Sequence, residues 1–281
     1  MAGTLYLVAT PIGNLGDLSP RAARTLAEAD FIAAEDTRVT VKLLNHLGLK
    51  KPMVSYHRHS TDARGMAILD RLQAGEDCAL VTDAGTPAIS DPGEELVAQC
   101  ARLDIPVVAI PGACAFVNAL AVSGLPTGRF TFEGFLAMNK KNRRAHLDSL
   151  KGETRTMVFH EAPHKLPATL ADLAETFGPD RRVALCRELT KLHEEVRRTT
   201  LGEAAAYYQE TPPKGEFVLV VEGAPEQAPE THTLADGLAL AAKLQAEGWS
   251  TRDAVKEAAA VCGLSRKALY DQVIAAKNHA D

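Results

Sequence analysis

The sequence predicts an α/β protein: two α/β subdomains in succession, closed by a small helical domain. Three observations predict it. Short apolar, β-rich runs alternate with helical patterns through residues 1–124, which argues for a mostly parallel sheet with helices on both faces. A second α/β subdomain spans 125–223, where late strands follow one another directly, as in a mixed sheet. A stretch at 224–232 with Pro225 and Pro229 among acidic and small residues reads as a linker, and 233–281 carries three short helical patterns.

In the first subdomain, strands are expected at Thr4 to Ala9, Phe31 to Ala34, Met53 to Ser55, Cys78 to Thr82 and Pro106 to Ile110. Helices are expected near Pro20 to Glu28, Thr40 to Leu47, Asp62 to Ala74, Pro92 to Leu103 and Ala113 to Ser123. Ser19-Pro20 and Asp91-Pro92 each place a capping side chain before a proline at the first helical position. Asp91 with Glu94 makes an acidic capping box. The chain turns at Leu125-Pro126-Thr127-Gly128. Strands follow at Phe130 to Gly134, Thr156 to Phe159, Arg182 to Arg187, Glu195 to Thr200 and Glu216 to Glu222. Helices fall near Asn142 to Leu150, Lys165 to Phe177 and Leu201 to Gln209. In the tail, Leu234 to Ala246, Thr251 to Val261 and Ser265 to Ala276 are helical, and Gly263 gives the last two the form of a helix-turn-helix. A helical cap or dimer contact is the alternative reading of that tail.

Three strand ends carry tight turns of small residues. Cys78 to Val81 runs into Thr82-Asp83-Ala84-Gly85-Thr86-Pro87, Leu5 to Val8 into Ala9-Thr10-Pro11-Ile12-Gly13-Asn14, and Val107 to Ile110 into Pro111-Gly112-Ala113-Cys114. Ligands of open α/β sheets sit beyond the carboxyl ends of strands, so the three turns suggest one ligand across one sheet edge. Gly85 lets backbone approach a ligand, while Asp83 and Thr86 supply hydrogen-bonding groups and Pro87 stiffens the turn. None of the turns is a Walker loop or a G-x-G-x-x-G, which disfavours nucleoside triphosphate and dinucleotide sites of those types.

Four segments in fixed order carry a family resemblance: Ala9-Thr10-Pro11-Ile12-Gly13-Asn14-Leu15, Ala34-Glu35-Asp36-Thr37-Arg38, Thr82 to Pro87 with Ile89-Ser90-Asp91-Pro92-Gly93, and Arg187-Glu188-Leu189-Thr190-Lys191. The set resembles the tetrapyrrole (corrin/porphyrin) methylase superfamily over roughly residues 3–222, and within it the branch that methylates cytidine 2′-hydroxyls of 16S ribosomal RNA. The branch's Pro-Gly-Pro-Ser-Ala reads Pro111-Gly112-Ala113-Cys114-Ala115 here, and its Phe-Tyr-Glu-Ser-Pro-His-Arg reads Phe159-His160-Glu161-Ala162-Pro163-His164-Lys165. Backbone contacts survive both changes; side-chain contacts at Cys114 and His160 do not carry over unchanged.

The resemblance implies a cleft between the two α/β subdomains that holds S-adenosylmethionine. We assign the cofactor to Pro11, to Asp83, Gly85, Thr86 and Pro87, and to Pro111, Gly112, Ala113 and Cys114. By analogy with the family, His160, Glu161, Leu189 and Thr190 approach it too. The implied substrate is 16S rRNA within the 30S subunit, in its decoding region. A homodimer is implied as well.

Methyl transfer from a sulfonium needs alignment and exclusion of water rather than a metal. A ribose hydroxyl is a weak nucleophile, so a positioned base helps. Candidates, in order, are Asp36, Glu35 and Glu188; Asp36 or Thr37 serving as a helix cap with an ion pair is the alternative at that turn. On the substrate side stand Asn14 and Arg38, the basic run Lys140, Lys141, Arg143 and Arg144, and Lys191 with His193. A solvated face or hairpin has the same composition as these charged runs. His57-Arg58-His59 has the form of a metal pair but lacks companion ligands, and reads as a polar loop on the substrate or closing the cleft. Phe132 and Phe135 read as core rather than base-stacking platforms.

Composition bounds these readings. The 281 residues suffice for two or more domains, and net charge is −5, which argues against a simple RNA-coating protein but not against a local basic patch. No long uncharged apolar run is present, so no membrane span is expected, and the N-terminus enters a strand without the features of a signal peptide. Five cysteines are scattered singly, as suits reduced thiols in the cytoplasm. Two rivals are a tetrapyrrole methylase of the same superfamily and a non-catalytic ribosome- or nucleic-acid-binding regulator. The basic run and the tail favour RNA over a small macrocycle. Methyl transfer itself separates enzyme from regulator.

Overall fold

The computed structural model describes residues 1–57, 62–225 and 232–278. Arg58 and His59 of the H-x-H motif, and most of the expected linker, lie outside the described residues. The chain divides into two compact units, Met1–Ala224 and Pro225–Asp281.

Within the first unit, five strands form an all-parallel sheet: β1 (Leu5–Val8), β2 (Phe31–Ala34), β3 (Met53–Ser55), β4 (Cys78–Val81) and β5 (Val107–Ile110). Their order is β3-β2-β4-β1-β5. β2 and β4 are buried along their whole length, which is why both read as unbroken apolar runs. Leu5, Phe31 and Leu80 anchor one face of the sheet, and Val8, Ile32 and Val81 the other. Helices α1 (Pro20–Glu28), α2 (Thr37–His46), α3 (Asp62–Gln73), α4 (Glu94–Arg102) and α5 (Ala115–Val122) connect and follow the strands.

Ser19 caps α1 through the Ala22 amide, with Pro20 in the first turn, as the sequence predicts. The matching prediction for α4 is corrected. That helix opens at Glu94, and Gly93 at its cap makes no side-chain bond. Pro92 belongs to the preceding turn, because its carbonyl accepts from the Ala88 amide. Ala88 and Ser90 hold positive φ in that turn, so Asp91 stands in a loop rather than at a helix start.

The second sheet is mixed, in the order β6-β7-β10-β8-β9. It contains β6 (Phe130–Phe135), β7 (Thr156–Glu161), β8 (Arg182–Arg187), β9 (Glu195–Thr200) and β10 (Phe217–Val221). β6 runs parallel to β7, while the β7–β10, β10–β8 and β8–β9 pairs are antiparallel. Helices α6 (Lys140–Ser149), α7 (Leu166–Phe177) and α8 (Leu201–Glu210) accompany it, and Leu147, Leu170 and Leu201 share one core with Phe159 and Leu219. The other face of the sheet, through Val158, Ala184 and Val220, packs with Ala119 and Leu120 of α5 and with Ile12. The two sheets therefore share a core within one compact unit.

Residues of the second unit form α9 (Leu234–Ala246), α10 (Thr251–Cys262) and α11 (Arg266–Asn278) around Ala241, Val255, Ala258 and Leu269. Thr233 with Asp236 makes a capping box, Ser250 caps α10, and Gly263 ends it in the left-handed region, which glycine adopts without steric cost. Among the described residues, no helix is long and apolar enough to cross a membrane.

Candidate active site

The three turns are stitched to one another. Thr10 and Gly85 exchange backbone hydrogen bonds of 2.9 and 3.0 Å, and the Thr10 hydroxyl donates to the Thr82 carbonyl at 3.1 Å. Thr86 donates to the Ala113 carbonyl at 3.1 Å, joining the β4 turn to the β5 turn. A Cβ at Gly112 would fall 2.8 Å from that of Ala9, so only glycine lets the first and third turns meet this closely. Gly85 adopts φ 91°, and a Cβ there would face Ile12 and the Ala113 carbonyl. Its demand is thus conformational. Turn geometry therefore gives Gly85 a role of its own, beside the close approach to ligand expected from the sequence.

Beyond these turns lies a cavity of about 440 Å³ that draws its wall from both sheets, a size typical of a small-molecule site. Seven of the predicted residues line it: Glu35 and Asp83 from the first sheet, and His160, Glu161, Glu188, Leu189 and Lys191 from the second. Asp91 and Glu216 add two more carboxylates, and Ile12, Phe135 and Val218 supply apolar wall. The lining is thus rich in carboxylates.

At the first-sheet corner, the Asp83 amide donates to Glu35 at 3.2 Å, and the Asp36 amide donates to Asp83 Oδ1 at 3.1 Å. Burial, with the Asp36 charge nearby, pushes the Asp83 carboxyl above its ordinary pKa. Asp36 does not line the cavity. It caps α2 through the Arg38 amide at 2.8 Å and holds the Arg38 guanidinium in a fork. Those side-chain bonds from Arg38 hold its carboxyl down to about 2. The cap and ion pair foreseen as the alternative at this turn are what the geometry shows.

At the second-sheet corner, Lys191 Nζ bridges Glu188 at 2.8 Å and Glu216 at 2.9 Å. Burial opposes its charge, the two carboxylate bonds outweigh burial, and its pKa is raised. The Lys191 bond in turn lowers that of Glu188. The Lys191 stem lies over the first turn: a Cβ at Gly13 would run into its Cγ. Glu188 and Thr190 both hold positive φ, a strain that clusters at functional sites. His160 sits edge-on to Phe132 and Phe135 at 5.2 and 5.3 Å, and burial lowers its pKa. His160 Nε2 and Thr190 Oγ1 are buried without a hydrogen-bond partner. His160 belongs to the cavity wall, where a ligand can complete such a group, whereas Thr190 stands outside the lining.

The other predicted residues stand outside this lining. Pro11 and Asn14 belong to the first turn, where Asn14 accepts from the Gly16 amide at the head of a short 3₁₀ turn, Leu15–Asp17. Thr86 and Pro87 belong to the β4 turn; Pro111 and Gly112 are exposed at the end of β5, and Ala113 and half-buried Cys114 precede α5. Arg38 is exposed, as are Lys140, Lys141 and His193. Arg144 pairs with Glu175 and Asp148. Arg143 turns inward to Asp172 and Thr169, with its side chain only 13% exposed, which corrects its reading as a surface cation.

Sequence reasoning missed Glu216 and Phe135. Glu216 precedes an apolar strand whose central place between β7 and β8 is a matter of pairing that no local pattern reveals. Phe135 reads as core in the sequence, yet it is 55% exposed and lines the cavity. A register shift between Phe132 and Gly134 re-aims it, as β-bulges do. Among the described residues, no group of His, Cys, Asp and Glu is arranged to hold a metal ion.

Residues 4–205 match the family described as tetrapyrrole (corrin/porphyrin) methylases. The chain belongs to this family. Residues 232–277 match a second family, the RsmI C-terminal HTH domain. A relative of this methylase in Synechocystis sp., named ribosomal RNA small subunit methyltransferase I, is 51% identical over 95% of this chain and 96% of its own. A protein of the same name in Halalkalibacterium halodurans is 47% identical over 96% and 94%. Among solved structures, uroporphyrin-III C-methyltransferase of Thermus thermophilus, complexed with S-adenosyl homocysteine, superposes with a TM-score of 0.55 at 20% identity, covering 78% of this chain and 97% of that one. Diphthine synthase gives 0.58 at 14% identity, covering 78% and 90%. At these identities the two structures bear on the fold of this methylase alone.

Proposed function

We propose that this methylase transfers a methyl group from S-adenosylmethionine to ribosomal RNA, and that the acceptor is the 2′-hydroxyl of a cytidine in the decoding region of 16S rRNA within the 30S subunit. The observation that carries the reading is the acid-lined cavity at the joined ends of two sheets, in a chain related over nearly its full length to proteins named ribosomal RNA small subunit methyltransferase I. Glu35, Asp83, Glu161 and Glu188 suit a ligand with positive charge, and the cofactor carries both a sulfonium and an ammonium group. His160 Nε2, in the lining, is an unfilled partner for its polar groups. The specificity for cytidine, a homodimeric assembly and a cytoplasmic location belong to the same reading and rest on the family resemblance.

The cofactor supplies an activated methyl group whose sulfur leaves readily as the thioether. The protein's part is alignment, dryness and proton handling. Ile12, Phe135 and Val218 give the cavity the apolar wall from which a bound cofactor displaces water. The hydroxyl proton passes to a carboxylate as the oxygen–methyl bond forms. Asp83 suits this role better than Asp36 or Glu188, because burial raises its pKa while cationic partners lower theirs. Glu35 stands beside it in the lining. Exposed Lys140 and Lys141 suit RNA phosphates, and Arg38, exposed but forked to Asp36, meets them with part of its charge already neutralised.

Labelled methyl transfer to undermethylated 30S subunits and to naked 16S rRNA, with the product mapped by mass spectrometry, tests the reading. A 2′-O-methylcytidine product is expected. Cofactor binding with transfer to neither RNA overturns the substrate assignment and favours a small-molecule acceptor. Absence of cofactor binding overturns the enzyme.

A further inference from the structure

Glu161 is 4% exposed, ends β7 and lines the cavity. Its Oε1 accepts from the Ala162 amide at 2.8 Å, and its Oε2 accepts from the hydroxyl of Thr169 on α7. Thr169 is fully buried. Behind it lies Arg143 of α6, whose Nη2 stands 2.9 Å from Thr169 Oγ1 and whose Nε bonds Asp172 at 2.5 Å. A guanidinium can only donate, and a hydroxyl has one proton to give. With Arg143 donating to its oxygen, Thr169 must spend its proton on Glu161. The direction of the whole chain is thereby fixed: Arg143 to Thr169 to Glu161. Donation from a charged group also polarises the Thr169 hydroxyl and strengthens its bond to the carboxylate.

We infer that Arg143 and Thr169 are positioning residues for the methyl-donor site. Through them Glu161 is held as an oriented acceptor for an N–H or O–H group of the bound nucleoside cofactor. The ligand's identity rests on the function proposed above; the relay is a property of the chain. Arg143 therefore serves the cofactor through Thr169 of α7, although it lies in the most basic run of the sequence. Its two-bonded, largely buried guanidinium sets it apart from exposed Lys140 and Lys141 in the same helix turn.

Calorimetric titration of S-adenosylhomocysteine into the full-length chain tests this without relying on turnover. Thr169→Val keeps the volume and removes the hydroxyl, and it is expected to weaken binding by about tenfold, the scale of one oriented hydrogen bond. Thr169→Ser restores the hydroxyl and should stay close to wild type. Arg143→Gln is expected to weaken cofactor binding severalfold while leaving the salt dependence of RNA binding unchanged. Its more peripheral position keeps the test readable if Thr169→Val fails to fold. Wild-type affinity in both Thr169→Val and Arg143→Gln overturns the relay alone, whatever happens to melting temperature. A flattened salt slope in Arg143→Gln makes it an RNA contact and also overturns it. A wild-type protein that binds neither the donor nor its product overturns the relay and the proposed function together.

Discussion

Asp36 and Asp83 show how two carboxylates joined through a backbone amide come to differ. Asp36 is half-buried and gripped by a guanidinium, and its carboxyl is held at about 2. Asp83 lines the cavity, and burial raises its pKa. Asp83→Asn is therefore expected to lower kcat by roughly a hundredfold or more, the scale of a lost general base, with a much smaller loss of cofactor affinity. Asp36→Ala should lower the melting temperature through the lost cap while turnover stays within a few-fold of wild type. Steady-state kinetics and thermal melts on both variants decide it, and the reverse pattern returns Asp36 to the role of base. His160 makes a prediction in pH. Burial favours its neutral ring, so its folded pKa lies below the free value of about 6.5. As pH falls through that value, the unfolded chain takes up the proton first. The stabilising contribution is complete above about pH 6.5 and is lost below it. Melting temperature should fall less between about pH 7.5 and about pH 5.5 in His160→Phe than in wild type; equal falls in the two proteins refute the assignment.

The elements themselves are largely legible in the sequence, because β2, β4 and β10 are buried throughout and read as apolar runs bounded by turn residues. What pattern cannot carry is pairing. Nothing local in Phe217–Val221 says that it enters between β7 and β8, and so nothing local says that Glu216 meets Lys191. The bulge that turns Phe135 into the cavity is equally silent, as is the choice at α4, where the turn before Gly93 displaces the expected Asp91 cap. Charge runs are the hardest case: four cations of α6 look alike in sequence, yet Arg143 is paired and largely buried, Arg144 is paired at the surface, and Lys140 and Lys141 are exposed. Replacing Lys140 and Lys141 by Ser should flatten the salt dependence of RNA binding by about one logarithmic unit of slope for each phosphate they neutralise. Replacing Arg144, which is bound to Glu175 and Asp148, should leave that slope unchanged. The β-turns make a separate prediction: Gly112→Ala forces a methyl against Ala9 and is expected to cost about 1–3 kcal/mol, read from denaturant unfolding.

At the scale of the molecule, the compact unit ending at Ala224 and the helical unit after it each have their own core. Every residue that lines the cavity falls between Ile12 and Val218. The orphaned His160 and Thr190 atoms and the Arg143–Thr169–Glu161 chain lie within the same limits. A chain ended at Ala224 should therefore fold, since domains with a complete core fold alone, and should bind S-adenosylhomocysteine with wild-type affinity by calorimetry. Any contacts of the tail with the ribosome are then separable from the chemistry. Tail loss would raise the KM for 30S subunits while leaving cofactor affinity where it was, because uniform binding to a large substrate acts on KM before it acts on kcat. A truncated chain that folds, as judged by a cooperative melt, but loses cofactor affinity would show that the helical unit takes part in building the methyl-donor site, and a cavity walled by the two sheets alone would then be incomplete.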